Sequence, residues 1–188
     1  MKKIILSRDK GDEGIKRWFN SIGIETLTPD AKMDSWIDGL VIGGGSDPGI
    51  PKDAQRDKLE LDLIENAVKQ RIPILGICRG AEILTIWSRG KLSTLQRHSL
   101  SYHMSKWHKV LFTDYWPERE AILWSHHHLT IEKSGTLKPA AFSEDGNIEA
   151  LIDEKKRILG VLWHPERSAD QGVMSILPWI KWIEKRFR

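Results

Sequence analysis

The stretch Pro73-Ile74-Leu75-Gly76-Ile77-Cys78-Arg79-Gly80-Ala81-Glu82-Ile83-Leu84 constrains the architecture of this chain more than any other. Ile72, Ile74, Leu75 and Ile77 make a short, β-branched apolar run that reads as a buried strand. From Gly80 the pattern switches to the helical spacing of Ile83, Leu84 and Trp87. The single cysteine of the chain stands at the switch. Gly76-Ile77-Cys78-Arg79-Gly80 has the form G-x-nucleophile-x-G, in which a sharp strand-to-helix turn lifts a nucleophile clear of a sheet and glycines let the backbone bend beneath it. A thiol at a helix N-terminus meets the positive end of the helix dipole, so the thiolate is expected to be favoured. The Arg79 N–H can also point at the oxygen of an attacked carbonyl.

The surrounding sequence is that of an ordinary globular chain. Its 188 residues are 40% hydrophobic and 29% charged, which predicts one domain spanning residues 1–188. One cysteine cannot form an internal disulfide, and the apolar run after Met1-Lys2-Lys3 is too short for a signal peptide, so a reduced, cytoplasmic setting is expected. No stretch approaches the ~20 apolar residues of a membrane span. A net charge of +3 with interspersed signs gives no reason to expect nucleic acid, and the basic end Lys181, Lys185, Arg186 and Arg188 reads as a solvated tail.

Strands and helices alternate along the first half. Strands are predicted at Lys3–Ser7, Glu25–Leu27, Leu40–Ile42 and 72–77. Between them lie a helix with Ile15, Trp18, Phe19 and Ile22 on one face and another over Asp57–Lys69. This βαβ order implies an α/β sandwich: a mostly parallel central sheet with helices on both faces and reactive groups at the carboxyl ends of the strands. Cys78 and the turn Gly43-Gly44-Gly45-Ser46-Asp47-Pro48 both fall at such ends. Residues 93–120 show no clean period apart from a strand near Lys109–Phe112. Short strands follow at Ala121–Trp124, Ala140–Phe142, Glu149–Ile152 and Ile158–Leu162, with Asp145-Gly146 as a hairpin turn and a last helix from about Val173.

A thiol nucleophile needs a base and a group that holds the base. His164 and Glu166 directly follow a strand, and at i and i+2 of an extended segment both side chains point the same way. His126-His127-His128 invites a metal reading. Adjacent residues on a strand face opposite ways, so at most His126 and His128 could share an ion, and no further ligand stands at a suitable spacing. No metal site is therefore expected there. Of the nine tryptophans, Trp107, Trp124 and Trp163 lie on segments that could approach the site.

Together, Pro73–Gly80, Gly44-Gly45-Ser46-Asp47 and Gly160-Val161-Leu162-Trp163-His164-Pro165-Glu166 resemble the class I glutamine amidotransferase-like fold, which is flavodoxin-like. Within it they resemble the gamma-glutamyl-gamma-aminobutyrate hydrolase (peptidase C26) type. Arg56-Asp57 with Glu60, Ser125 with His127-His128, and Ala141 through Asp145-Gly146-Asn147-Ile148-Glu149-Ala150 extend the match through nearly the whole chain. The resemblance implies Cys78 as nucleophile, His164 as base and acid, Glu166 as its orienter, and N–H groups of Gly44, Gly45 and Arg79 as an oxyanion hole. It places Ser125, His127 and His128 at the substrate. It further implies a small gamma-glutamyl substrate, a thioester intermediate, no cofactor and no metal, and it is compatible with a homodimer.

The ending Trp163–Arg167 is also similar to gamma-glutamyl-CDP-amidate hydrolases of capsule pathways. A glutaminase subunit serving a synthetase partner is a less favoured alternative. Leu162, Leu129 and Trp124 stand where the family usually has Gln, Gln and Asn. If Leu129 and Leu162 line the pocket, a bulky leaving group should be tolerated better than the amide of glutamine is rewarded.

Overall fold

The buried run before the cysteine forms the middle of a nine-stranded sheet in the computed structural model, which describes residues 1–8, 11–30, 33 and 36–185. In chain order the parallel half contributes β1 (Lys2–Leu6), α1 (Glu13–Ser21), β2 (Ile24–Leu27), β3 (Gly39–Ile42), α2 (Ala54–Lys69), β4 (Ile74–Ile77) and α3 (Arg79–Trp87). Then come β5 (Lys91–Thr94), α4 (Arg97–His103), β6 (Met104–Phe112), β7 (Glu120–His126), β8 (Leu129–Lys133), β9 (Lys138–Ser143), β10 (Ile148–Asp153), β11 (Ile158–Val161), α5 (Gly172–Ser175) and α6 (Leu177–Glu184). The large sheet runs β2-β1-β3-β4-β11-β10-β9-β6-β7, while β5 and β8 pair separately. Pairing is parallel from β2 to β11 and antiparallel from β11 to β7.

Two cores flank this sheet. One packs Ile15 and Phe19 of α1 and Trp179 and Ile183 of α6 against Ile4, Val41, Leu75 and Leu159. The other packs Leu63, Ile64 and Ala67 of α2 and Ile83 and Leu84 of α3 against Ile5, Leu40, Ile42, Ile74 and Ile158. Every residue of β3, β4 and β11 is buried, as a strand covered on both faces requires. Each such aliphatic side chain contributes roughly 1.5–3 kcal/mol on burial.

Small residues set how closely α3 lies on the sheet. Gly76 and Gly160 are paired neighbours on β4 and β11. A Cβ on Gly76 would stand 2.5 Å from the Gly80 carbonyl, one on Gly80 would stand 2.1 Å from the Ile42 oxygen, and one on Gly160 would touch Ala81 at 3.3 Å. The glycines of the cysteine motif thus serve close helix-to-sheet approach as well as the bend.

All the strands expected from the sequence are present, and Asp145-Gly146 turns β9 into β10 with Gly146 at φ +82°. The stretch 93–120 differs from the expectation by holding α4 and a nine-residue β6, whose first four residues, Met104 to Trp107, are exposed. Neither β5 nor β8 was anticipated, because four or five residues shared between two short strands carry too little period. The last helix is split at Ile176, since Pro178 begins a new helix and cannot continue an old one. Among the described residues no helix is long and apolar enough to cross a membrane. Of the basic end, Arg186 and Arg188 lie outside the described residues.

Gly80→Ala and Gly76→Ala should each lose at least about 3 kcal/mol in denaturant unfolding, because backbone atoms must move to admit the methyl. Gly14→Ala, with nothing within 4 Å of the added carbon, should range from neutral to about 1 kcal/mol stabilising.

Candidate active site

Cys78 occupies the turn between β4 and α3 with φ 53° and ψ −110°, a conformation that costs a non-glycine residue about 1–3 kcal/mol. Surrounding bonds hold it there. The Cys78 N–H donates to the Val161 oxygen (2.8 Å), and its carbonyl accepts from Ala81 (2.9 Å). The following side chain, Arg79, is fully buried and points away from the cleft, where its guanidinium pairs with Asp57 and Glu60 of α2. Only the backbone of Arg79 is therefore turned towards the sulfur.

The same burial reverses the expectation of a resting thiolate. Loss of water pushes the Cys78 thiol well above its ordinary range and the nearby Glu82 adds to the rise. The Arg79 N–H aimed at the sulfur pulls the other way, as the helix N-terminus should, but is outweighed. Burial thus favours the neutral thiol, so any nucleophilic use of Cys78 would need a base to take its proton.

His164 and Glu166 lie on the wall of the same cleft, a cavity of 340 Å³ also lined by Asp12, Gly44, Gly45, Cys78, His126 and Arg167. His164 Nδ1 and Glu166 Oε1 are 2.6 Å apart. With Glu166 accepting from Nδ1–H, the other ring nitrogen is left as a lone pair. The link is made by a 3-10 turn, Pro165–Arg167, rather than by extended chain. A Cβ on Gly44 would touch His164 Cε1 at 3.4 Å, so ring and glycine turn are in contact. Arg56 fixes that turn by donating to the Gly44 oxygen (2.8 Å), and its Nε also bonds Glu60 (2.9 Å). With its carbonyls held from behind, and Gly45 at φ +144°, the turn can present N–H groups to the cleft.

Alternation along 125–128 places those residues differently from one another. The carbonyl of His126 lies 3.6 Å from the Cys78 sulfur and its ring lines the cleft. Ser125 and His127 are buried behind this wall, Ser125 bonded to His108 (2.8 Å) and His127 to the Leu129 oxygen (2.8 Å). His128 is half exposed and pairs with Asp47 of the glycine turn at 2.8 Å. Leu162 is fully buried in the core with α2 and α3 and neither it nor Leu129 lines the cleft, which removes the expectation of an apolar pocket built on them. Trp124 does reach the site, edge-on to His164 at 5.3 Å and beneath the Arg167 guanidinium at 4.5 Å. Trp163 is core, and Trp107 is exposed on β6.

Sequence reading overlooked Asp12. It follows β1 at the carboxyl edge of the sheet, is 4% exposed, and has Oδ2 without a hydrogen-bond partner among the described residues. Burial raises its carboxyl to about 6 despite the attraction of Arg8 and Arg56. Its place at a strand's carboxyl end was the one available signal.

With this geometry in view, comparison with known proteins is decisive for the family. The family model of Peptidase C26 matches residues 29–166. This chain belongs to the Peptidase C26 family. Protein NtpR of Enterococcus hirae is 32% identical over 183 residues, covering 79% of this chain and 76% of that one. The gamma-glutamyl-CDP-amidate hydrolase of Campylobacter jejuni is 30% identical over 156 residues, covering 79% of this chain and 72% of its own. In fold, the crystal structure of a candidate GMP synthase subunit from Thermoplasma acidophilum superposes with a TM-score of 0.77 at 20% identity, covering 98% of this chain and 94% of that one. This Peptidase C26 member is accordingly a class I glutamine amidotransferase-like hydrolase.

The raised carboxyl of Asp12 has a stability signature. Its folded pKa of about 6 exceeds the ordinary 3.8, so the advantage of the protonated form is complete below about pH 4 and is lost as pH rises through about 6. Asp12→Asn should therefore gain on the parent protein by up to about 3 kcal/mol between pH 4 and pH 8, measured by paired unfolding curves. Equal differences at both pH values would show that the carboxyl is not strained by burial.

Proposed function

We propose that the protein hydrolyses the gamma-glutamyl amide bond of a small gamma-glutamyl compound, releasing glutamate and an amine through a thioester on Cys78. The observation that carries this reading is the meeting of Cys78, the His164–Glu166 pair and the Gly44-Gly45 turn around one cleft. His164 takes the thiol proton as sulfur attacks the carbonyl carbon. The oxyanion is received by the N–H groups of Arg79 and the Gly44-Gly45 turn. His164 returns the proton to the leaving nitrogen, the C–N bond breaks, and the thioester forms. Water, deprotonated by the same ring, then splits the thioester into carboxylate and thiol. Glu166 keeps the ring oriented and stabilises its transient positive charge.

Asp12 supplies the counter-charge for the α-ammonium of the glutamyl group. An ionised carboxylate kept in a dehydrated cleft at a cost in stability is repaid when a cation covers it. The leaving amine points to the wall made by Trp124, His126 and Arg167, aromatic and cationic surfaces suited to a larger polar leaving group than ammonia. The similarity to a gamma-glutamyl-CDP-amidate hydrolase supports a substituted amide as substrate. A glutaminase subunit delivering ammonia to a synthetase partner is the alternative, and relatives named as subunits of GMP synthase and imidazole glycerol phosphate synthase keep it in view.

Free glutamate released from a panel of gamma-glutamyl amides, glutamine included, tests this directly. A substituted amide should show the higher kcat/KM on the isolated protein; glutamine as best substrate, activated by a synthetase, would favour the alternative. Cys78→Ala and His164→Ala should each cost roughly 10³-fold or more, and Glu166→Gln less. Asp12→Asn should raise KM roughly 10-fold with little change in kcat.

A further inference from the structure

Behind the wall of the cleft lies a buried polar cluster that the hydrolytic site does not use. His103 at the end of α4, His127 after β7 and Glu149 on β10 are between 0% and 2% exposed, and one ligand atom from each lies within 4.8 Å of the others. His103 Nδ1 stands 3.2 Å from Glu149 Oε1, and His127 Nε2 stands 3.7 Å from the same oxygen. None of these atoms, nor Glu149 Oε2, has a hydrogen-bond partner among the described residues. Three ligand groups converge in the core, and a further ring nitrogen, His108 Nε2, stands 3.8 Å from Glu149 Oε2.

The far sides of both rings fix what the near sides can be. His127 Nδ1 faces the Leu129 carbonyl at 2.8 Å, so it carries the proton and Nε2 turns a lone pair towards Glu149. His103 Nε2 faces both oxygens of Asp145 at 3.2 and 3.3 Å, so a proton there leaves Nδ1 as a lone pair against Glu149 as well. Two lone pairs and a carboxylate repel unless positive charge sits among them. Protonating one ring would pair it with Glu149 but leave the other ring's lone pair against the same carboxylate, and protonating both would bury two like charges with centroids 4.8 Å apart.

We propose that His103 Nδ1, His127 Nε2 and the Glu149 carboxylate bind one divalent transition-metal ion, zinc, in a structural site. Tetrahedral zinc with bonds of ~2.0–2.1 Å sets neighbouring ligand atoms ~3.3–3.4 Å apart; the two separations around Glu149 bracket this, the two ring nitrogens, within 4.8 Å of each other, would draw together on binding, and the second Glu149 oxygen or a water would complete the shell. Two imidazoles and one carboxylate are borderline donors that suit zinc better than calcium or magnesium. The outer shell is already in place: one ring donates to a carboxylate and the other to a backbone carbonyl, as metal-bound histidines do. Zinc, Glu149 and Asp145 together are electrically neutral, which the interior requires. The His103 oxygen also accepts from the His127 N–H (3.1 Å), so the ion would staple α4 to the segment that carries His126 into the cleft.

Metal analysis of the tag-free, full-length protein should find about one zinc per chain that survives dialysis. After stripping, Co²⁺ should restore one equivalent with the visible absorption of a tetrahedral site. Glu149→Gln should abolish stoichiometric binding and Asp145→Asn should weaken it roughly 10–100-fold, while Cys78→Ser should leave it intact. Three results would each overturn the site: wild-type protein that neither contains nor takes up zinc or cobalt, binding lost with Cys78→Ser but retained in Glu149→Gln, or ring-nitrogen NMR showing both histidines protonated in metal-free, fully folded protein. Because metal content and the cobalt spectrum are read without substrate, the result is independent of which amide the cleft hydrolyses.

Discussion

Glu60 is the carboxylate on which the front of the molecule depends. It is fully buried on α2 and accepts from Ser7 at the end of β1 (3.0 Å), from Arg56 (2.9 Å) and from the Arg79 guanidinium. Ser7 in turn accepts from the Gly43 N–H (3.3 Å), and Arg56 from the same helix grips the Gly44 carbonyl. One side chain thereby ties together the first strand, the glycine turn and the residue after the nucleophile. Removing one partner of such a buried network costs about 3–5 kcal/mol, because a charge is left unmet. Substitution here would loosen the fold and shift the glycine turn and the Arg79 backbone in the same event.

That anchoring explains how the strain at Cys78 persists. A left-handed cysteine relaxes unless its neighbours over-determine it, and the Gly76–Gly80 approach on one side and the Arg79 ion pairs on the other leave it no room. Burial is the second consequence. The helix dipole acts on the sulfur, but desolvation of a thiol that is 6% exposed outweighs it. A hidden thiol beside an imidazole suits the proposed chemistry, in which the nucleophile would be generated at the moment of use.

The centre of the parallel half was legible because β3, β4 and β11 are short and carry no polar side chain. Cys78, Gly44, Gly45, His164 and Glu166 stood out as candidates because each lies just beyond the end of such a strand, and all five line one cleft. The antiparallel half was less legible for a physical reason. β5 and β8 are held by each other and by tertiary contacts rather than by a period of their own, and α4 is seven residues with two buried. Asp12 escaped notice since a lone acid in a loop has no pattern of its own, and its significance comes from burial, which only the folded chain supplies. The three-histidine run was weighed for a metal on its outer members, whereas alternation buries the middle one with His103 and Glu149, partners 24 and 22 residues away and invisible to spacing rules.

The two halves of the sheet meet the cleft along a narrow seam. Cys78, His164 and the glycine turn come from the ends of parallel strands, while Trp124 and His126 come from β7 at the far antiparallel edge. They reach the site through a bridge between Ser125 and Trp163 and the bond from the His164 N–H to the Trp124 oxygen (2.8 Å). Backbone atoms make that seam, so side chains on the β7 side can drift without disturbing the elbow. Such an arrangement would let one wall of the cleft be exchanged while the other stays fixed: under the proposed reaction, rewriting residues 97–130 would change the leaving group accepted, and a protein engineer could graft that stretch for the same purpose.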